Sequence, residues 1–263
     1  MRFSIWMISI LFACVLSSQN ITLVSKFSIP AHQKKFKIFL DRFDQIYLLF
    51  PSGELIKYSM FGKKLYSSQN LPPASDWIVS TENPFKITFY SPSFQQLFMF
   101  DQQLSTLEKI QLSYSSPLDI LKLTFRNTFI AYCSSTHELI EFSLEKRILQ
   151  QKQLDAEFFL HHDIVDIFSF KENYLLLTCD GQLYSTTFEG KTNLLNLDET
   201  RSVFIKEDNM VVVSKKSILL YDFVNNKKKQ EVDFFPAECS NAISNGNIVA
   251  CLKNDSLLVY TLK

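Results

Sequence analysis

The chain has 263 residues, 46% apolar and 21% charged, and its 27 basic and 27 acidic side chains leave no formal net charge. That is too apolar for a disordered chain, and there is no basic excess to displace counterions from a nucleic acid. Against 25 phenylalanines there are only 5 glycines, and neither G-x-G-x-x-G nor G-x-x-x-x-G-K-[ST] occurs, which excludes a glycine-rich phosphate loop.

Arg2 is the one charge before an apolar run from Ile5 to Leu16, and Ser17-Ser18-Gln19-Asn20 follows. A basic start, an apolar core and a small-residue exit make a secretory signal over residues 1–18. The run falls short of the ~20 residues a membrane-spanning helix needs. Two kinds of processing fit. Cleavage after Ser17 or Ser18 would release a soluble chain that starts near Gln19. Alternatively, Leu11-Phe12-Ala13-Cys14 has the form of a lipobox, which would leave Cys14 carrying lipid. Either route exports the protein to the periplasm or the periplasmic side of the outer membrane. Membrane contact would then come only through a partner or through lipid on Cys14.

Beyond the signal the chain repeats. An anchor of the form [Ile/Leu]-x-x-[Tyr/Phe] begins at Leu55, Leu97, Leu139, Ile218 and Leu257, with a degenerate copy at Leu183, so the period is near forty residues. Before each anchor stands a very apolar run: IYLLF from Ile46, KITFY from Lys86, FIAYC from Phe129, YLLLTC from Tyr174, MVVVS from Met210 and NIVAC from Asn247. Short polar turns such as Pro51-Ser52-Gly53-Glu54 and Asp180-Gly181 separate run from anchor, which is the pattern of a β-hairpin. Further upstream lie FKIFL, WIVS, ILKLTF, IVDIF and SVFIK; downstream come wetter segments such as KKLYSSQ and ILQQKQL. The gradient from apolar to polar predicts four antiparallel strands per repeat, as in a β-propeller blade.

Six anchors predict six blades in a single all-β domain spanning residues 19–263. The sixth repeat lacks its fourth strand at the C-terminus, while ITLVSKFSIP (Ile21 to Pro30) is a spare strand at the N-terminus. We expect this strand to complete blade six and close the ring. A β-sandwich or an open solenoid is the competing architecture. Lys227-Lys228-Lys229 reads as a solvated hairpin tip in the fifth repeat.

Motifs for chemistry are sparse. Cys133, Cys179, Cys239 and Cys251 form no C-x-x-C pair; they read as small buried residues, with a Cys239–Cys251 bridge as the alternative. His161-His162-Asp163 is the one local cluster with ligand chemistry, and it reads as a surface loop between blades. Asp41, Glu82, Asp163, Asp166 and Glu207 fall near first-strand positions, where a propeller enzyme would place carboxylates at its channel, but they do not recur from blade to blade. We expect no catalytic residue, no metal site and no cofactor. Aromatic residues crowd the first two repeats, and the long Asp76-to-Tyr90 connection suggests a partner surface including Trp77, Pro84, Phe85 and Phe94.

The signal ending in Ser-Gln-Asn, the repeated anchor and the string DWIVSTENPFKITFYSPSFQQLFMFD, with its Asn83-Pro84-Phe85-Lys86 strand entry, together resemble small exported β-propeller proteins of Bacteroidota. The resemblance implies an accessory or plug subunit of an envelope complex such as the type IX secretion translocon, and no catalytic residues. WD dipeptides do not recur. Two functions follow. One is a non-enzymatic interaction module whose partner is an outer-membrane barrel or secretion component. The other is a propeller enzyme, such as a lactonase-like hydrolase, or a small-ligand or glycan binder, using the central channel.

Overall fold

The structure, a computed structural model, describes residues 21–262 apart from 30–34, 84, 125, 146, 155–162, 196, 198, 207–208, 215–216, 223–224, 226 and 234–239. All regular elements among the described residues are strands, and they form six four-stranded antiparallel sheets. An N-terminal strand, β1 (Thr22–Ser28), precedes blade one: β2 (Lys37–Leu40), β3 (Ile46–Leu49), β4 (Leu55–Tyr58) and β5 (Lys64–Ser68). Blade two is β6 (Ile78–Ser80), β7 (Ile87–Ser91), β8 (Gln96–Phe100) and β9 (Thr106–Gln111). Blade three is β10 (Ile120–Leu123), β11 (Phe129–Cys133), β12 (Glu138–Phe142) and β13 (Ile148–Gln153). Blade four is β14 (Ile164–Phe170), β15 (Asn173–Thr178), β16 (Leu183–Thr186) and β17 (Asn193–Leu195). Blade five is β18 (Thr200–Lys206), β19 (Asn209–Ser214), β20 (Ser217–Asp222) and β21 (Lys227–Asp233). Blade six is β22 (Ser240–Ser244), β23 (Ile248–Lys253) and β24 (Ser256–Thr261).

The fourth strand of blade six is β1. It pairs antiparallel with β24, from Thr22 opposite Thr261 to Ser28 opposite Ser256. The chain ends therefore meet in one sheet, as the N-terminal excess and C-terminal deficit require, and β24 is not left as an open edge. The first strands of successive blades touch one another, β6 with β10, β10 with β14, β14 with β18, β18 with β22 and β22 with β2, which makes the ring.

Burial follows the gradient in the sequence. The second strands are buried nearly throughout, whereas the fourth strands β9 and β13 are mostly exposed. Core clusters straddle blade boundaries: Tyr47, Leu49 and Leu55 of blade one pack with Ile87, Phe89, Phe98 and Phe100 of blade two. Burying such side chains on both faces of a sheet is the main stabilising contribution, roughly 1.5–3 kcal/mol each. Polar staples add register. Tyr90 donates to the Leu118 carbonyl at 2.6 Å, Lys57 Nζ to the Gln102 carbonyl at 2.7 Å, and Asn245 Nδ2 to the Asp41 carbonyl at 2.8 Å, each crossing to a neighbouring blade.

Hairpins joining first to second and third to fourth strands lie at one end of the disc, here the upper face. Second-to-third hairpins and the connections between blades lie at the other, the lower face. Several upper turns are held by a side chain at their first residue. Asp41 Oδ1 accepts the N–H groups of Phe43 and Gln45, Asp101 Oδ1 those of Gln103 and Ser105, and Thr124 Oγ1 those of Arg126 and Thr128. With so few glycines, left-handed turn positions fall also to Asp44, Gln95, Asn127 and Lys171.

Two sequence expectations change. Lys227, Lys228 and Lys229 are not a hairpin tip; they open β21, where Lys228 pairs with Glu231 and Lys229 with Asp222 at 3.0 Å. The first strand of blade six, β22, was not anticipated, because Ser-Asn-Ala-Ile-Ser lacks the β-branched and aromatic content that marks a strand.

Candidate functional site

The first strands of the six blades surround a central channel of about 920 Å³. Its wall is largely apolar, with Phe36, Ile38, Val79, Phe168, Phe204 and Ile243, and it carries the charged residues Lys37, Glu82, Lys122, Asp166, Glu199 and Arg201. Lys122 is the one charged residue of β10, a strand that otherwise looks like core, and its Nζ meets Asp166 Oδ1 at 2.5 Å while lying 4.2 Å from the centre of the Phe168 ring. Near the upper mouth Glu82 reaches past blade three. Its Oε2 accepts the Ser169 hydroxyl at 2.6 Å, and its Oε1 accepts the Ser169 N–H at 3.4 Å. Burial raises the Glu82 carboxyl above its ordinary value, opposed by the Ser169 hydroxyl, Lys122, the Ser169 N–H and Arg42.

At the lower end, Lys37 opens β2 and donates from Nζ to the Trp77 carbonyl at 2.7 Å. Burial lowers its pKa, partly offset by Asp76 and Asp166. Of the carboxylates anticipated at the channel, Glu82 and Asp166 line it. Asp41 does not: it is fully buried under blade one, where Oδ2 accepts the Tyr47 hydroxyl at 2.8 Å. Asp163 is exposed at a blade connection, its carbonyl accepting the Cys179 N–H at 2.9 Å. Glu207, His161 and His162 lie outside the described residues. Lys37 and Lys122 escaped sequence reading because a lysine beside apolar residues looks like a solvated surface position.

The anticipated partner surface does not form one patch. Trp77 is only 2% exposed and packs edge-on against Phe98 at 5.7 Å, so it is a core residue between blades one and two. Phe85 and Phe94 lie in hairpins at opposite ends of β7, on the upper and lower faces respectively. Pro84 and Cys14 lie outside the described residues. What the upper face presents instead is a pair. Phe43, 50% exposed, meets Phe85, 65% exposed, with ring centres 6.0 Å apart at 72°. Among the described residues, no three of His, Cys, Asp and Glu converge as metal ligands.

Cysteine chemistry is divided. Cys133 is buried and free, and Cys179 is exposed and free. Cys251 is disulfide-bonded, with a partner outside the described residues.

No family model and no curated protein matches the chain by sequence. Solved structures do match in fold. The Pan2 WD40 domain of Neurospora crassa aligns over 94% of this chain and 97% of its own, with TM-score 0.61 and 10% identity. An inactive H270A virginiamycin B lyase from Staphylococcus aureus, solved with quinupristin, aligns over 94% and 97%, with TM-score 0.57 and 9% identity. The Cps50 (Swd1) propeller of Myceliophteria thermophila covers 90% of this chain and 100% of its own, with TM-score 0.55 and 7% identity. The fold is a β-propeller. At these identities the likeness extends no further than that.

Proposed function

We propose that the protein is an exported, non-enzymatic interaction module that docks on a complex of the bacterial cell envelope through its upper face. The observation that carries this reading is the exposed Phe43–Phe85 pair, two large apolar rings held side by side by hairpins of adjacent blades. In one hairpin Asp41 Oδ1 accepts the Phe43 N–H at 2.8 Å, and in the other Asn83 Oδ1 accepts the Phe85 N–H at 3.0 Å. The channel's carboxylates support a non-catalytic reading, because Asp166 is neutralised by Lys122 and Glu82 is tied to Ser169. Export is supported by the basic-apolar-small start of the chain and by the disulfide at Cys251, a bond that persists in oxidising compartments. The resemblance to Bacteroidota propellers favours an outer-membrane barrel or a secretion component, such as a type IX translocon subunit, as the partner.

The test compares tagged wild-type protein with the Phe43→Ser/Phe85→Ser double variant, both purified from detergent-solubilised envelopes. One stoichiometric partner recovered with the wild type and lost with the variant is the expected result. Recovery of the same partner by both chains would move the interface elsewhere, and recovery of neither would remove the docking reading.

A further inference from the structure

We propose that the central channel is itself a binding site, taking a small organic anion whose apolar body fills the channel and whose charge rests on the Lys37 ammonium. This goes beyond the docking reading and is spatially separate from it: Lys37 starts β2 at the lower end, whereas Phe43 and Phe85 cap the upper end. The volume, about 920 Å³, lies within the roughly 300–1,000 Å³ of small-molecule sites, and a mostly apolar wall with a few polar groups is their usual lining. Val165 on this wall is 49% exposed, an aliphatic side chain facing open space inside the ring.

The sign of the ligand follows from which charges are already committed. Asp166 is held by Lys122 at 2.5 Å, and Glu82 by Ser169. Asp76, the other carboxylate whose field reaches Lys37, accepts the Ser91 hydroxyl at 3.0 Å and the Ser93 N–H at 2.8 Å. Glu199 and Arg201 share the wall and bring one charge of each sign. Lys37 differs from Lys122: its hydrogen-bond acceptor is a neutral carbonyl, and no carboxylate lies within ion-pair distance of it among the described residues. An ammonium has three protons to give, and one carbonyl uses one of them. Lys37 is exposed at the start of β2, so its remaining protons are open to an arriving anion. A cationic ligand would find the carboxylates occupied, and a neutral one would leave Lys37 as it is.

The probe is 8-anilinonaphthalene-1-sulfonate, an organic anion with an apolar body, titrated into the full mature chain and followed by fluorescence. One saturable site is expected. Lys37→Gln should weaken it by about tenfold or more, as should Val165→Asp, which puts a negative charge on the same wall. N-phenyl-1-naphthylamine, a neutral analogue, should bind Lys37→Gln and wild type within a factor of two. Val165→Asp keeps the test open should Lys37→Gln fold poorly. Absence of saturable binding, or equal affinity of wild type and both variants, overturns the proposal. So does loss of binding in Phe43→Ser/Phe85→Ser, which would place the probe on the docking face. Because that double variant leaves the channel intact, failure of the docking reading and failure of this one give different results.

Discussion

Ser169 donates its hydroxyl to Glu82 Oε2 at 2.6 Å, and this contact joins blade four to blade two across the mouth of the channel. Burial holds the Glu82 carboxyl above its ordinary value, so the folded state binds that proton more tightly than the unfolded chain does. Stability therefore rises as pH falls from neutral through the folded-state value, and levels off below the unfolded one. Glu82→Gln removes this titration and leaves the others, including that of Asp41, which burial also raises. Thermal melts between pH 4.5 and 8 should show wild type gaining on Glu82→Gln as the pH drops. A difference that stays flat would mean that Glu82 ionises as it would in water.

The ring was legible because its signal is periodic. Each anchor from Leu55 to Leu257 is a third strand, each very apolar run a second, and the spare N-terminal segment became β1 beside β24. The site was less legible for a physical reason. Glu82 and Ser169 stand 87 residues apart, and only the packing of blades two, three and four around the channel brings them together. Trp77 misled because an aromatic residue before a strand reads equally as anchor or core; its neighbour Phe98 decides the matter, and that contact is not local. Phe43 and Phe85, likewise, are partners only through the packing of adjacent blades.

Tyr47 and Asp41 form a buried unit in blade one. Two backbone N–H groups serve Oδ1 of Asp41, and the Tyr47 hydroxyl at 2.8 Å serves Oδ2. Tyr47→Phe strands that oxygen in a fully buried place, and should cost about 1–3 kcal/mol in denaturant unfolding. In an Asp41→Asn background the same change should cost less, with a coupling of about 0.5 kcal/mol or more. Additive losses would show that the two side chains stabilise independently.

Backbone conformation separates two turn residues. Gly53 has φ +86°, and a Cβ there would lie 2.0 Å from the Leu71 carbonyl oxygen, so Gly53→Ala should destabilise by at least about 2 kcal/mol. Lys171 has φ 52° on an exposed hairpin, a left-handed conformation that costs a side chain roughly 1 kcal/mol. Lys171→Gly should therefore be neutral or stabilising by up to about 1 kcal/mol, although glycine is usually the worse residue in a strand protein. Paired melting curves read both signs at once.

Ring closure depends on β1, and Phe27 is its inward anchor. The Phe27 ring lies 5.1 Å from that of Tyr58 and so close to Gly62 that a Cβ there would be 2.6 Å from it. A chain beginning after Ser28 would expose β24 as an edge, with Leu257 and Val259 beneath it. Losing about 3 kcal/mol would lower Tm by roughly 6–12 °C, and an open edge favours aggregation. A synthetic peptide of residues 19–30, added in excess, should restore Tm. Failure of the peptide to rescue, with Tm unchanged by the truncation, would mean that the ring holds without its closing strand.

Thiol counting reads compartment and fold together. Cys179 is exposed and free, Cys133 is buried and free, and Cys251 is oxidised. In a mature chain that has lost Cys14, a thiol reagent should therefore titrate one cysteine in the native protein, because burial shields Cys133. Two should react after denaturation without reductant, and four after reduction. Protein isolated from periplasm and protein made in a reducing cytoplasm should differ in the second number, two against four. If denatured periplasmic protein already shows four reactive thiols, the bond at Cys251 does not form in that compartment. The disulfide would then no longer support export, which would rest on the N-terminal signal.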